Sequence, residues 1–128
     1  MEQRVLAELA LLRQVSGVEG SMVATTDGLL VVQDVPGLEP DRTAALVATT
    51  LGIARQAAQL TGRGQLREAV IHGGSGYLAV FAVGSSAVLA VLGGEFMNVG
   101  MLHYQTRSVV KRIERDAPQF RRFSSALA

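Results

Sequence analysis

An uncharged stretch between His72 and Glu95 constrains the fold of this 128-residue chain more than any other segment. Its apolar part, GYLAVFAVGSSAVLAVLGG, is long enough to span a bilayer as one helix. A central Gly-Ser-Ser divides it into two halves of strand length that are rich in valine. We therefore predict two antiparallel strands over 77–83 and 87–93, with no membrane insertion. Both alternating faces of these strands are apolar, so helices are expected to cover both sides of the sheet centre.

Three further strands are predicted. Two apolar runs, 20–26 and 29–35, flank Asp27-Gly28. This dipeptide favours a hairpin with a type I′ turn, in which both central residues have positive φ. The run QLREAVIH, residues 65–72, is more polar, as is typical of a strand at the edge of a sheet.

Helical periodicity predicts helices over about 3–15, 41–60 and 98–116. The element order is then α-β-β-α-β-β-β-α. This order predicts an α+β fold in which helices sandwich a five-stranded, mostly antiparallel sheet. Residues 1–117 are expected to form one domain and residues 118–128 a peripheral C-terminal tail.

Composition excludes several classes of function. The chain has no cysteine, which removes disulfides, thiolate metal sites and cysteine nucleophiles. A formal net charge of +1 gives no strong attraction to nucleic acid. The first residues alternate charge with leucine, unlike a signal peptide, so a cytoplasmic location is expected.

No pattern in the sequence indicates catalysis, a cofactor or a metal. The segment HGGSGY lacks the final glycine of a nucleophile elbow, and a strand rather than a helix is predicted to follow it. His72 and His103 have no second ligand at metal spacing, so both are interpreted as structural. The chain is therefore predicted not to be an enzyme, with no catalytic, cofactor-binding or metal site.

Charged residues near the C-terminus are interpreted as a solvated face rather than an RNA site, because carboxylates interrupt the run. The basic members of this run are Arg107, Lys111, Arg112, Arg115, Arg121 and Arg122. Asn98 is a suitable cap for the last helix. Glu95 has two open interpretations, contact with a partner or capping of that same helix.

The second helix has more apolar surface than one sheet can cover. One ridge consists of Leu46, Ile53 and Leu60, and a second consists of Val47, Leu51, Ala54 and Ala58. Ala48 and Gly52, four residues apart on the more polar side, would let another helix approach closely. The pattern favours a helix that pairs with its copy, and the alternative is an alanine-rich helix that simply lies deep in the fold.

The predicted homodimer pairs this helix with its twofold copy and joins the edge strand 65–72 to its own copy. The predicted interface residues are Ala45, Ala48, Thr49, Gly52, Ile53, Gln56, Leu66, Glu68 and Val70. Four arginines that flank the helix are candidates for binding another partner: Arg42, Arg55, Arg63 and Arg67.

Four segments together resemble the Roadblock family, named for the roadblock light chain of dynein. They are the hairpin GSMVATTDGLLVV, the helix AALVATTLGIARQAAQLTGRG, the strand pair quoted above and the last helix NVGMLHYQTRSVVKRI. The resemblance implies one helix on one face of the sheet and two on the other. It also implies dimers formed through the second helix and the third strand.

The same resemblance implies a platform for small Ras-like GTPases or a light chain of a motor complex. The stand-alone chain is similar to the bacterial branch, which includes the gliding-motility GTPase activator. Others of that branch are encoded beside a sensor-kinase-like protein and a Ras-like GTPase. The family carries no catalytic side chain, so none is assigned.

Two functions are therefore considered. The first is a non-catalytic dimeric scaffold or regulator of a small Ras-like GTPase in bacterial signalling. The alternative is a small-ligand sensor domain, because a five-stranded sheet with helices is also typical of sensory domains.

Overall fold

The computed structural model describes residues 1–120 of the chain. Three helices, five strands and a short C-terminal 3₁₀ turn follow one another in the predicted order. Their bounds are α1 Glu2–Arg13, β1 Val18–Thr25, β2 Leu30–Asp34, α2 Pro40–Leu60, β3 Glu68–Gly73, β4 Gly76–Val83, β5 Ala87–Gly93, α3 Val99–Asp116 and the turn Ala117–Phe120.

The five strands form one antiparallel sheet in the order β2-β1-β5-β4-β3. The uncharged stretch supplies β4 and β5, which pair from Tyr77 opposite Gly93 to Val83 opposite Ala87. The predicted strand pair and the edge position of β3 are thus confirmed. No helix within residues 1–120 combines the length and the apolar character needed to cross a bilayer.

The first hairpin is present, but its predicted type I′ turn is wrong. Only Gly28 has positive φ, at 92°, and Asp27 does not. The Gly28 amide donates to the Thr25 carbonyl at 3.0 Å, and the Thr25 amide donates to the Leu29 carbonyl at 2.8 Å. The loop is therefore a tight turn that Gly28 closes in the left-handed conformation, so Asp27 needs no positive φ.

Helices cover both faces of the sheet. Helices α1 and α3 lie on one face, with α1 over β1 and β2 and α3 over β4. Helix α2 lies alone on the other face. This is the two-to-one arrangement that the family resemblance implies.

Each face has its own core of buried apolar side chains. The α1–α3 core includes Leu9, Leu12, Val23, Phe81, Leu89, Leu102 and Ile113. The α2 core includes Met22, Ala24, Val47, Leu51, Val80 and Val88. Alternate residues of β4 and β5 enter opposite cores, which explains why both strands are apolar throughout.

The start of the C-terminal tail also differs from its prediction. Phe120 is only 1% exposed and packs in the α1–α3 core, so the chain is not yet peripheral at 118. The 3₁₀ turn after α3 brings this ring back beneath the helices. The remainder of the predicted tail, 121–128, lies outside the described residues.

Candidate dimer and partner surface

Helix α2 places its inner face on the sheet through Ala44, Val47, Ala48 and Leu51. These positions have the spacing of a single helical stripe. On its outer side, Leu46, Ile53 and Leu60 remain 62%, 64% and 88% exposed. Seven residues, or about two helical turns, separate each from the next, so they form one line along the helix. We call this line the α2 ridge.

The small-residue pair splits between the two sides of α2. Ala48 is only 8% exposed and faces the hairpin loop, where its Cβ lies close to Gly28. Ala48 therefore belongs to the inner stripe and not to the more polar side of α2 on which the sequence placed it. Gly52 is exposed, and a Cβ built there would meet nothing within 4 Å.

The other predicted interface residues of α2 are exposed on its outer side. Ile53 is part of the ridge, and Ala45, Thr49, Gly52 and Gln56 are the others. The Thr49 hydroxyl donates to the Ala45 carbonyl at 2.9 Å, so this hydroxyl is already hydrogen-bonded within the helix. The Thr49 hydroxyl therefore needs no partner from outside the helix.

Strand β3 pairs with β4, and its other edge has no strand partner within residues 1–120. Because the Ala82 amide donates to the Arg67 carbonyl at 3.1 Å, Glu68 and Phe81 form a non-hydrogen-bonded pair of the ladder. The amides of Ala69 and Ile71 then point towards β4, while the amide of Val70 points away from the sheet. Backbone donors are therefore available along this open edge.

Two predicted residues of the edge strand have different positions from those expected. Leu66 precedes β3, and its half-buried side chain packs against the α2 core, so it is not a strand residue. Glu68 begins β3, but its carboxylate bonds to His103 Nδ1 of α3. Val70 is exposed on the strand as predicted.

The four candidate arginines do not form one cluster. Arg42 pairs with Glu39 at 3.6 Å at the start of α2, and Arg63 donates to the Thr61 carbonyl at 3.1 Å beyond its end. These two ends are about 30 Å apart for a helix of 21 residues. Arg55 donates to the Gly84 carbonyl at 2.9 Å, which ties α2 to the β4–β5 turn. Arg67 lies on the side of the sheet edge that faces α3.

A groove of ≈540 Å³, half open to solvent, runs between α3 and the C-terminal part of β4, next to the start of β3. We call it the α3 groove, and its main lining residues are Arg67, Glu68, Phe81, His103, Arg107 and Lys111. A second groove of ≈520 Å³ adjoins it beyond Ala82 and contains Arg55 and Gln59. The sequence did not indicate either groove, because both form where β4 continues past the first residue of β3.

Neither histidine sits among metal ligands, and residues 1–120 contain no group of three side chains suited to a metal. The His72 ring stacks on Tyr77, with centroids 4.2 Å apart and planes 9° apart. His103 bridges Glu68 and Arg107, whose Nη2 lies 3.4 Å from His103 Nε2. These contacts are of a structural kind.

The loop before α3 carries a feature that sequence reasoning missed. Phe96 is 95% exposed, next to the exposed Glu95. Met97 packs over Gly93, where an added Cβ would overlap the Met97 sulfur, so the turn directs Phe96 outward. Asn98 is the cap of α3, and its side chain accepts a hydrogen bond from the Met101 amide at 2.9 Å. Glu95 is therefore not the cap of this helix.

Three known proteins illustrate what this chain is similar to. An uncharacterised protein of Methanocaldococcus jannaschii is 29% identical over 115 residues, covering 89% of this chain and 97% of that protein. The crystal structure of a Roadblock/LC7 domain from Streptomyces avermitilis has a TM-score of 0.77 at 28% identity, covering 85% of this chain and 93% of that one. The gliding protein MglB from Thermus thermophilus has a TM-score of 0.79 at 20% identity, covering 92% and 91%, and so shares the fold.

A family model gives the most direct assignment. The model of the Roadblock/LC7 domain matches residues 5–93, which span most of α1, all of α2 and all five strands. The α-β-β-α-β-β-β-α order and the two-to-one helix arrangement agree with it. The chain belongs to the Roadblock/LC7 family.

Proposed function

We propose that this protein is a homodimeric, non-catalytic scaffold or regulator of a small Ras-like GTPase in a bacterial signalling system. The observation that carries the proposal is that one Roadblock/LC7 chain combines an exposed α2 ridge with an open β3 edge. The proposed dimer buries the α2 ridge against its copy and pairs the β3 edge with its copy. We expect it to work in the cytoplasm.

The ridge supports self-association through apolar burial. Fully burying a leucine or isoleucine side chain contributes about 1.5–3 kcal/mol, so three such residues form a substantial contact. Gly52 beside them leaves room for a close helix approach. The twofold copy of α2 is the occupant that the family resemblance implies.

The open edge supports the same dimer through hydrogen bonds. The Val70 amide points outward, and pairing β3 with its copy would satisfy it and continue the sheet across the twofold axis. Pairing would also protect an edge that is otherwise open to aggregation. In the proposed dimer one partner copy satisfies both the ridge and the edge.

The GTPase proposal rests on family membership, and the lack of catalysis rests on the side chains. The four candidate arginines are dispersed, and two of them already bond to carbonyls of their own chain. We expect each to adjust partner affinity rather than to enter a GTPase active site. A sensor-kinase-like protein remains a further proposed partner.

The test is binding of a co-encoded Ras-like GTPase, loaded with GDP or a non-hydrolysable GTP analogue, measured by calorimetry. We expect tighter binding in one nucleotide state, and modest affinity changes for Arg42→Ala, Arg55→Ala, Arg63→Ala and Arg67→Ala. An arginine finger would instead cost about 10³-fold or more in turnover. Such a loss at unchanged affinity would contradict a non-catalytic role.

The small-ligand sensor remains the second candidate because the α3 groove has a volume within the ~300–1,000 Å³ range of ligand pockets. Its half-open shape argues against it, since small-ligand sites bury most of their ligand. Mass spectrometry of the native purified protein tests this function. A stoichiometric retained small molecule, with no GTPase binding in either nucleotide state, would favour the sensor function over GTPase regulation.

A further inference from the structure

The α3 groove lies on the opposite face of the sheet from α2. Its lining comes from α3, from β4 and from the residues that lead into β3. A dimer formed through α2 and the β3 edge would leave this face open to solvent. The groove therefore lies on a different face from the α2 ridge, and it borders the β3 edge at Arg67 and Glu68.

Three cations in the groove lack a carboxylate partner within the described part of the chain. They are Arg67, Arg107 and Lys111, and the ion pairs of residues 1–120 involve other cations. Arg107 and Lys111 are one helical turn apart and exposed on the same side of α3. This pattern differs from the α1 side of the same helix, where Arg112 pairs with Glu8 at 2.7 Å.

The contacts of His103 hold part of this arrangement in place. Its Nδ1 bonds to the Glu68 carboxylate, which engages one of the two acidic groups of the groove. With the proton on Nδ1, Nε2 is an acceptor for the Arg107 guanidinium 3.4 Å away. The other acidic group, Glu114, lies at the far end beside Gly84. Positive charge therefore prevails along the middle of the groove.

The floor between these charges is apolar. Phe81, Ala82 and Val110 line it, and beyond Ala82 the second groove extends towards Arg55 with a mainly polar lining. Two adjoining grooves of ≈540 and ≈520 Å³ suit an extended chain better than a compact ligand. An apolar floor flanked by cations is complementary to a segment with an apolar anchor between carboxylates.

We propose that the α3 groove binds an acidic peptide segment of a partner protein. An apolar side chain of the segment packs on the half-buried Ala82 and Val110, and its Asp or Glu side chains pair with Arg67, Arg107 and Lys111. Nucleic acid fits less well, because the carboxylates of Glu68 and Glu114 lie in the groove and Phe81 is only 5% exposed, so its ring cannot stack on a base. This proposal does not depend on GTPase binding.

The experiment selects peptides from a displayed random library on the immobilised full-length protein at low salt. We expect enrichment of sequences in which Asp and Glu flank an apolar residue. A synthetic peptide of the selected sequence should bind about tenfold or more weakly to the Arg107→Glu/Lys111→Glu variant, and its affinity should fall as salt rises. The neutral variant Arg107→Gln/Lys111→Gln should give a smaller loss.

Arg42→Glu is the matched control, because it reverses an exposed charge at the start of α2 on the other face. It should change peptide affinity by less than about twofold, and all variants should melt within a few degrees of the native protein. Three results would overturn the proposal: selection without acidic enrichment, equal losses for the groove variant and Arg42→Glu, or tighter binding of a single-stranded RNA oligonucleotide. GTPase affinity should be unchanged in the groove variant, which separates this test from that of the proposed function.

Discussion

The α1–α3 layer and the outer face of α2 differ in where their side chains find partners. In the first layer, Arg4 bonds to Asp116 and Arg112 to Glu8, each at 2.7 Å, and Leu102 is fully buried. On the outer face of α2, leucine and isoleucine side chains stand in solvent. One chain completes the core of the first layer by itself, whereas we propose that the outer face of α2 is covered only by another protein surface.

The largest expected effect comes from a substitution in the core of the α1–α3 layer. Leu102→Ala should lower the free energy of unfolding by about 2–5 kcal/mol, because it leaves a cavity beneath α3. Met101→Ala, on the exposed side of the same helix, is the matched control and should cost less than about 1 kcal/mol. Urea denaturation at one protein concentration measures both. Similar losses for the two variants would contradict the layer described here.

On the outer face of α2, Gly52→Leu should weaken dimerisation without destabilising the single chain. Within one chain the new side chain meets open space, and leucine is a better helix former by roughly 0.5–1 kcal/mol. At a helix–helix contact it would overpack by about 1–3 kcal/mol, which corresponds to a rise of roughly 5- to 150-fold in the dimer dissociation constant. Sedimentation velocity over a dilution series measures the dissociation constant.

Gly52→Ala is the control for that substitution, since it gains helix propensity with little added volume. We expect it to remain a dimer. If Gly52→Leu dimerises as tightly as the native protein, the outer face of α2 is not the contact.

Proline substitutions in β3 separate the open edge from the paired one. Val70→Pro removes an amide that points away from β4, so the fold should persist while dimerisation weakens severalfold. Ala69→Pro removes an amide that bonds to β4 and should destabilise the chain itself. Circular dichroism melts and sedimentation together distinguish these effects. A native-like dimer for Val70→Pro would show that this edge does not meet its copy.

The smallest expected effect concerns the α1–α3 ion pair. The hydrogen bond from Arg4 lowers the pKa of Asp116, so the ionised pair contributes stability above the ordinary aspartate pKa and loses it as pH falls through the lowered one. Asp116→Asn should therefore lower the melting temperature slightly at neutral pH, with a difference that shrinks in acid. A difference that grows in acid would contradict this assignment.

The sheet was predictable because its signals are local. Two apolar strands around Gly-Ser-Ser and the polar β3 determine which strands are central and which lies at the edge. By contrast, Ala48 and Gly52 are equivalent by spacing, and only the position of α2 on the sheet shows that one is buried and the other exposed.

Residues whose surroundings come from distant elements were not predictable. Phe120 is buried because the turn after α3 returns the chain under the helices, and Phe96 is exposed because Met97 occupies the space above Gly93. The α3 groove combines residues from three separate segments, so no local pattern could reveal it. The candidate arginines were chosen for their closeness to α2 in sequence, which says little about their separation in space.

The central claim is that a second copy of this chain completes the outer face of α2. Multi-angle light scattering of the native protein at tens of micromolar tests it most directly. We expect a molar mass twice the 13.5 kDa of one chain, with Gly52→Leu shifted towards the single-chain mass. A native protein that elutes at 13.5 kDa at this concentration would contradict it.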